Sequence, residues 1–195
     1  MIRQSCLWLL ILALSPPAAG QSQSPTAESL ARDLREVARI ATIMVDGDVC
    51  QRIMTERAAR KLFVIDPEDQ WSGSDNFDVN HEPFIQTKKT LMRLARLLPY
   101  PVDCNLWMPF KEDPQKIQVL IRNRYEMSQF WPWGVLYQEK TQEMAETLSS
   151  GRTKTVTGKE DFVSVLTPVY NSLGEIVGLV EVVSRARMNW QEHVK

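Results

Sequence analysis

Aromatic and guanidinium side chains crowd one stretch of the sequence, residues 122–137, which reads RNRYEMSQFWPWGVLY. An arginine can hold a carboxylate through two parallel hydrogen bonds, and a tryptophan ring can cover the carbon skeleton of a small molecule. We therefore expect a mostly apolar pocket with a few directional polar groups, suited to a small anionic ligand. The same aromatics could instead be core side chains beside solvated arginines, and the sequence leaves both interpretations open. The side chains assigned to the pocket are Arg122, Arg124, Tyr125, Trp131, Trp133 and Tyr137.

Other signatures of chemistry are few. The sequence lacks the H-E-x-x-H and G-x-S-x-G motifs and a phosphate-cradling glycine loop, and its only histidines are His81 and His193. There is no Cys/His ligand spacing for zinc, and the acidic stretch over residues 66–82 lacks the EF-hand pattern. We therefore predict no catalytic residue, no metal and no cofactor. The net charge of −1, with scattered basic residues, also argues against a nucleic-acid partner.

The first 20 residues have the layout of a secretory signal peptide. Arg3 precedes the nine-residue apolar run CLWLLILAL, and the small residues Ala18, Ala19 and Gly20 follow. As a helix this run would rise about 14 Å, which is too short for the ~30 Å hydrocarbon core of a membrane. We expect cleavage near Gly20 and a mature protein that is periplasmic or secreted.

Export changes the interpretation of the cysteines. Once Cys6 is removed with the signal peptide, Cys50 and Cys104 are the only two that remain. Because an oxidising compartment lets such a pair join, we predict a disulfide between them, which would stabilise the fold by about 4 kcal/mol in the chain-entropy model. The alternative is two buried free thiols that pack as small hydrophobes.

The N-terminal half, residues 21–100, has the apolar periodicity of helices on either side of one acidic loop. Its predicted elements are an amphipathic helix over 30–44 with Thr26 as N-cap, a second helix over 49–62, the acidic loop over 66–82, and a helix over 82–98.

The second half, residues 101–195, changes to the two-residue period of β-strands, as in Ile117, Val119 and Ile121. Gly151 is the expected stop of a helix. Together with the preceding helices this half is expected to form one globular domain of the α+β class. Its predicted elements are strands over 105–110, 117–121, 153–157, 162–170 and 175–184, and a helix over 138–150.

The last two strands carry a family resemblance. The run VSVLTPVYNSLGEIVGLVEVV has Pro168 within one strand, Gly174 in a short polar turn and Gly178 in the next strand, and Gly151 stands ahead of the third strand. It resembles the closing hairpin of extracytoplasmic PAS-like sensor domains, the Cache group. The resemblance implies a five-stranded antiparallel sheet with the long N-terminal helix along one face and additional helices on the faces. It also implies a ligand between the sheet and residues 122–137. In the second strand of the hairpin, Gly178 should lie where a side chain would crowd its neighbours.

We therefore expect an exported small-molecule-binding sensor domain that lacks its own output module. Such a domain would signal through a separate partner, for example a membrane receptor or a kinase. The alternative is a dimerising structural module in which the N-terminal helix pairs with its copy in a homodimer. A hydrolytic enzyme is the weakest of the three hypotheses.

Overall fold

A computed structural model describes residues 25–55, 81–110, 113–131, 138–158 and 161–186 of the chain. Several predictions lie outside these ranges: the signal peptide over 1–20, residues 56–62 of the second predicted helix, the acidic loop up to residue 80, the tail after 186, and the two site residues Trp133 and Tyr137.

The chain has the predicted α+β architecture, built on one antiparallel sheet. In the described residues the sheet has six strands in the order β3-β2-β1-β6-β5-β4. The long strands β5 and β6 pair along nearly their whole length, so the predicted closing hairpin is confirmed. The strands are β1 Asp103–Pro109, β2 Lys116–Ile121, β3 Gln138–Glu139, β4 Lys154–Thr157, β5 Phe162–Tyr170 and β6 Ile176–Arg185.

Four helices lie in the described part of the chain: α1 Ala27–Met44, α2 Gly47–Gln51, α3 Glu82–Leu94 and α4 Gln142–Ser150. Thr26 caps α1 as predicted, because its side chain accepts a hydrogen bond from the Ser29 amide. Gly151 ends α4 in the left-handed conformation, with φ of 68°, which glycine adopts without strain.

Side chains that alternate along the strands divide the core between the two faces of the sheet. On the first face, α1, α2 and α3 bury apolar residues such as Leu34, Cys50 and Leu91 against Leu106 and Val182. The second face carries a smaller cluster, covered by α4 and by the chain that follows β2. Its members are Trp107, Ile117, Met144, Leu166 and Leu179, with Val119, Phe130, Trp131 and Leu148 packed against them.

The number of strands differs from the prediction. Residues 138–139, expected to begin a helix, instead form the short strand β3 beside Ile117 and Lys116 of β2. The helix begins only at Gln142, because the Thr141 side chain accepts a hydrogen bond from the Met144 amide and so caps α4. Among the described residues the sheet therefore has six strands rather than the predicted five.

The two middle helices are also shorter than predicted within the described residues. The second helix begins at Gly47 and ends at Gln51, and the third ends at Leu94 rather than at residue 98. The Asp46 carboxylate accepts hydrogen bonds from the amides of Asp48 and Val49, so the second helix starts two residues before Val49.

The predicted disulfide is absent, since Cys50 and Cys104 are both free, buried thiols. Each thiol is already accommodated in the apolar core of the first face, Cys50 on α2 and Cys104 on the central strand β1. Burial raises the pKa of Cys50 to about 12, although a hydrogen bond with Thr87 acts in the opposite direction. The open alternative of two packed free thiols describes the structure.

The crowding expected at Gly178 is confirmed. A Cβ built there would stand 2.7 Å from the Trp107 carbonyl oxygen of β1 and would also collide with the Met108 sulfur. Glycine is required because β6 and β1 are central neighbours whose backbones cannot separate without breaking their ladder.

Candidate functional site

The segment that follows β2, residues 122–131, lies across the second face of the sheet, and we call it the strap. It contains no helix or strand. Hydrogen bonds from buried side chains of the sheet fix it in place, so the sheet determines where the predicted ligand-binding side chains stand.

Glu181 of β6 is the centre of this attachment. Its side chain is fully buried, and its neighbours on the strand, Val180 and Val182, point to the opposite face. Two donors come from the strap: the Ser128 hydroxyl at 2.7 Å and the Gln129 amide at 3.1 Å. Three more come from the sheet: Ser164 Oγ at 2.8 Å, Trp107 Nε1 at 3.2 Å and Asn105 Nδ2 at 3.3 Å. These five donors occupy both oxygens of one carboxylate.

A second buried carboxylate, Asp103 of β1, holds the other end of the strap. It accepts hydrogen bonds from the Tyr125 amide at 3.2 Å and from the Met127 amide at 2.8 Å. Between these two amides Glu126 adopts a left-handed conformation with φ of 52°. That conformation is uncommon for residues other than glycine, and here it directs both flanking amides at one carboxylate.

Asn105 joins the two attachments, because it lies between Asp103 and Trp107 on the same face of β1. Its Nδ2 also donates to the Met127 carbonyl at 2.7 Å, and its Oδ1 accepts from the Asn123 amide at 3.2 Å. Gln129 extends the attachment to the edge of the sheet, where its Nε2 donates to the Val156 carbonyl of β4 at 3.0 Å. The strap is thus tied to β1, β6 and β4.

Burial dominates the electrostatics of both carboxyl groups. It raises the pKa of Glu181, although the hydrogen bonds from Ser128, Gln129, Ser164 and Asn105 act to lower it. It likewise raises the pKa of Asp103, against the amides of Met127 and Tyr125 and the charge of Lys88. Both groups therefore hold a proton more tightly than an exposed carboxyl group does.

Of the predicted ligand-binding residues, the structure brings Arg122 and Trp131 together. The Arg122 guanidinium lies over the Trp131 ring at 4.2 Å from its centroid, and its Nη1 stands 3.8 Å from Glu126 Oε1. Trp131 packs in turn against the apolar cluster of the second face. Both side chains are half-buried, so each presents part of its surface to solvent.

Arg124 and Tyr125 form a second, more open pair. The Arg124 guanidinium stands 5.4 Å from the centroid of the Tyr125 ring, and Arg124 is exposed. Trp133 and Tyr137 lie outside the described residues, so their place in the site stays a prediction. The structure therefore brings the four described site residues together as two stacked pairs on one strap.

Lys88 of α3 is an additional cation at the start of the strap. Its ammonium group donates a hydrogen bond to the Arg122 carbonyl. Burial lowers the pKa of Lys88, while the charge of nearby Asp103 opposes that change. The sequence does not mark Lys88 as a site residue, because it lies on a helix whose basic residues have the periodicity of a solvated face.

The buried attachment residues were also missed, although the sequence carries a signal for them. Glu181 is the only charged residue in the apolar run from 176 to 183, and Asp103, Asn105 and Trp107 alternate along one strand. A charge inside a central strand and polar residues at two-residue spacing both indicate a polar network on one face of a sheet.

No family model, curated protein or solved structure matches this chain. In the part of the chain that the structure describes, no helix combines the length and apolar character needed to span a membrane. The same residues contain no group of three or more His, Cys, Asp or Glu side chains that could hold a metal ion.

Proposed function

We propose that this protein is an exported sensor domain that binds a small anionic molecule at the strap and signals through a separate partner. The observation that carries the proposal is the stacked pair of Arg122 and Trp131, half-exposed on a segment that buried carboxylates hold against the sheet. A binding group held in one orientation loses little conformational freedom when a ligand arrives.

The chemistry of this pair suits a ligand with a carboxylate or a similar anion. In the free protein, Arg122 faces the Glu126 carboxylate at 3.8 Å, which is long for a charge-assisted hydrogen bond. A ligand anion at about 2.7–2.9 Å, the usual range for such bonds, would approach the same guanidinium more closely than Glu126 does. The exposed part of Trp131 beside Arg122 would contact the carbon skeleton, while Arg124 and Tyr125 would contact the outer end of the ligand.

The PAS-like, Cache-group fold is part of the proposal. Besides the two-residue β3, the sheet consists of five antiparallel strands, and α1 packs along one face against β5 and β6. The strap follows the second strand and lies on the opposite face. This arrangement agrees with what the resemblance implies and supports the assignment, as do Pro168 within β5 and Gly174, with φ of 79°, in the turn.

Export and an external partner complete the proposal. The signal-peptide layout of residues 1–20 supports a periplasmic or secreted location. A membrane receptor or a kinase would carry the signal onward, and no catalytic residue of this chain is needed.

A panel of small carboxylates, sulfonates and phosphates tests the binding, with the neutral amide of each acid for comparison. We expect at least one acid to raise the melting temperature and to bind in calorimetry, while its amide binds more weakly. Arg122→Ala should cost about 1.5–3 kcal/mol of affinity for the acid, which corresponds to roughly a 10- to 150-fold loss. Trp131→Ala should weaken acid and amide alike, because it removes buried apolar area.

The matched control is Arg39→Ala, which removes the same side chain from the exposed surface of α1. It should leave binding unchanged. If no member of the panel binds, or if Arg122→Ala binds as tightly as the parent, the assignment of the site is wrong.

A dimerising module is the second candidate, and exposed apolar side chains favour it. Ile43 and Met44 at the end of α1 are 73% and 55% exposed, and Leu173 in the turn between β5 and β6 is 80% exposed. Sedimentation would then show a dimer that Ile43→Asp disrupts, and the ligand panel would give no binding.

A further inference from the structure

The exposed side of α3 carries a row of positive charges. Residues 83–102 contain Lys88, Lys89, Arg93 and Arg96 but no Asp or Glu. Lys88 is half-buried and donates a hydrogen bond to the strap, whereas the other three are exposed. Arg93 follows Lys89 by four residues and Arg96 follows Arg93 by three, so the three side chains are neighbours along one side of the helix. We call these three the cationic row.

Acidic side chains do not neutralise the cationic row. None of its members forms an ion pair with another described residue. Asp33 of α1 accepts a hydrogen bond from Tyr100, just past the row, but its carboxylate also faces Arg32 at 3.7 Å. Glu82 begins α3, about 10 Å along the helix axis from Lys89, which is about one Debye length at physiological salt. The row therefore keeps a positive field, although the whole chain has a formal net charge of −1.

An exposed leucine lies at the end of the row. Arg96 and Leu97 belong to a turn that continues α3, because their amides donate to the carbonyls of Arg93 and Leu94 at 3.1 Å. Leu97 is 52% exposed. The opposite side of α3, with Leu91 and Leu94, is already buried in the core of the first face. Leu97 is therefore apolar surface that this helix leaves for a partner.

We propose that the cationic row docks the protein on an anionic membrane surface, with its three cations among the headgroup phosphates and Leu97 at the boundary with the acyl chains. Cations beside an exposed leucine match the chemistry of that boundary. Lipid phosphates can move to meet a row of charges on a curved helix, whereas an acidic protein would need carboxylates fixed at matching positions. The proposal goes beyond the proposed function and requires no ligand at the strap.

Co-sedimentation of the full mature protein with lipid vesicles tests the docking. Vesicles of equal parts phosphatidylglycerol and phosphatidylcholine are compared with vesicles of phosphatidylcholine alone. Each cation near an anionic surface strengthens binding by about fivefold, so three of them predict a preference of about 100-fold for the anionic vesicles. The preference should largely disappear at about 1 M salt, where the Debye length is only about 3 Å.

Variants assign the binding to the row. The double variant Arg93→Gln/Arg96→Gln should lower binding to the anionic vesicles by about 25-fold, and Leu97→Ala should lower it by about fivefold. The matched control, Lys140→Gln/Arg152→Gln, removes the same charge at the two ends of α4, which covers the opposite face of the sheet. The control should bind like the wild type.

Soluble polyglutamate serves as the probe for an acidic protein partner. Equal binding to neutral and anionic vesicles would overturn the proposal, and so would wild-type binding by Arg93→Gln/Arg96→Gln. Polyglutamate binding that this double variant loses, in a protein that does not bind the anionic vesicles, would also overturn it and would identify the row as a docking surface for an acidic protein.

Discussion

Removing the Glu181 carboxylate should destabilise the fold through the donors that it leaves behind. Of the five donors, the hydroxyls of Ser128 and Ser164 can rotate toward other acceptors, and Asn105 Nδ2 keeps the Met127 carbonyl at 2.7 Å. Trp107 Nε1 and the Gln129 amide have no such alternative among the contacts of the described residues.

An orphaned buried donor costs about 1–3 kcal/mol, so two of them predict a loss of about 2–6 kcal/mol for Glu181→Ala. Urea unfolding at pH 7 measures this loss. Glu175→Ala is the matched control, because Glu175 lies in the exposed turn before β6, and its loss should have little effect.

A double-mutant cycle identifies the cause of the loss. Trp107→Phe removes the orphaned indole donor, so the loss from Glu181→Ala should be smaller in the Trp107→Phe background than in the wild type. A loss below about 1 kcal/mol for Glu181→Ala, or strict additivity with Trp107→Phe, would refute the reasoning that the donors set the cost.

Three further predictions concern the packing at Gly178, the two cysteines and the pH dependence of Glu181. Gly178→Val should lower the melting temperature strongly, because even a Cβ at this position would stand 2.7 Å from the Trp107 carbonyl oxygen; an unchanged melting temperature would contradict the packing. In the folded protein, Cys50 and Cys104 should both resist alkylation at pH 8 and react once urea is added, since they are buried free thiols; a linked peptide in a non-reducing map would show a disulfide instead. Because burial raises the pKa of Glu181 above its ordinary 4.5, the folded protein binds this proton more tightly than the unfolded chain does, and its contribution to the unfolding free energy should fall as pH rises above about 4.5. Urea titrations at several pH values give the unfolding free energy as a function of pH. Above about pH 4.5 this free energy should fall more steeply for the wild type than for Glu181→Gln, and an equal pH dependence in both proteins would contradict the prediction.

The sequence predicted best those elements whose local signals agree with their packing. The sequences of β5 and β6 consist of apolar residues that alternate with polar ones or follow one another directly, and the turn with Gly174 separates them. Both strands form nearly where expected. The Thr26 cap and the apolar stripe of α1 agree in the same way. Where a cap, a period and a turn favour the same structure, the pattern is sufficient.

Tertiary contacts decided what the sequence could not. β3 has only two residues and exists because β2 offers a free edge, which no local pattern reveals. Two cysteines in an exported chain favour a disulfide statistically, but pairing depends on geometry that only the packed core determines.

The candidate site shows the same division between local and tertiary information. The sequence identified the strap by its aromatic and arginine content, but the sheet residues that orient it lie 18 to 53 positions from their partners in the strap, as the Asn105 contact of Asn123 and the Glu181 contact of Ser128 show. Such separations carry no periodic signal. Only the lone charge of Glu181 within an apolar strand indicated that something polar had to face it.

Native mass spectrometry of the mature protein, purified gently from its own host, tests the central claim most directly. The account predicts a non-covalently bound small acid on the wild-type protein. The same acid should remain on the Arg39→Ala variant and be lost from the Arg122→Ala variant. A wild-type protein that carries no small molecule and is detected as a stable dimer would contradict the account and favour an interaction module.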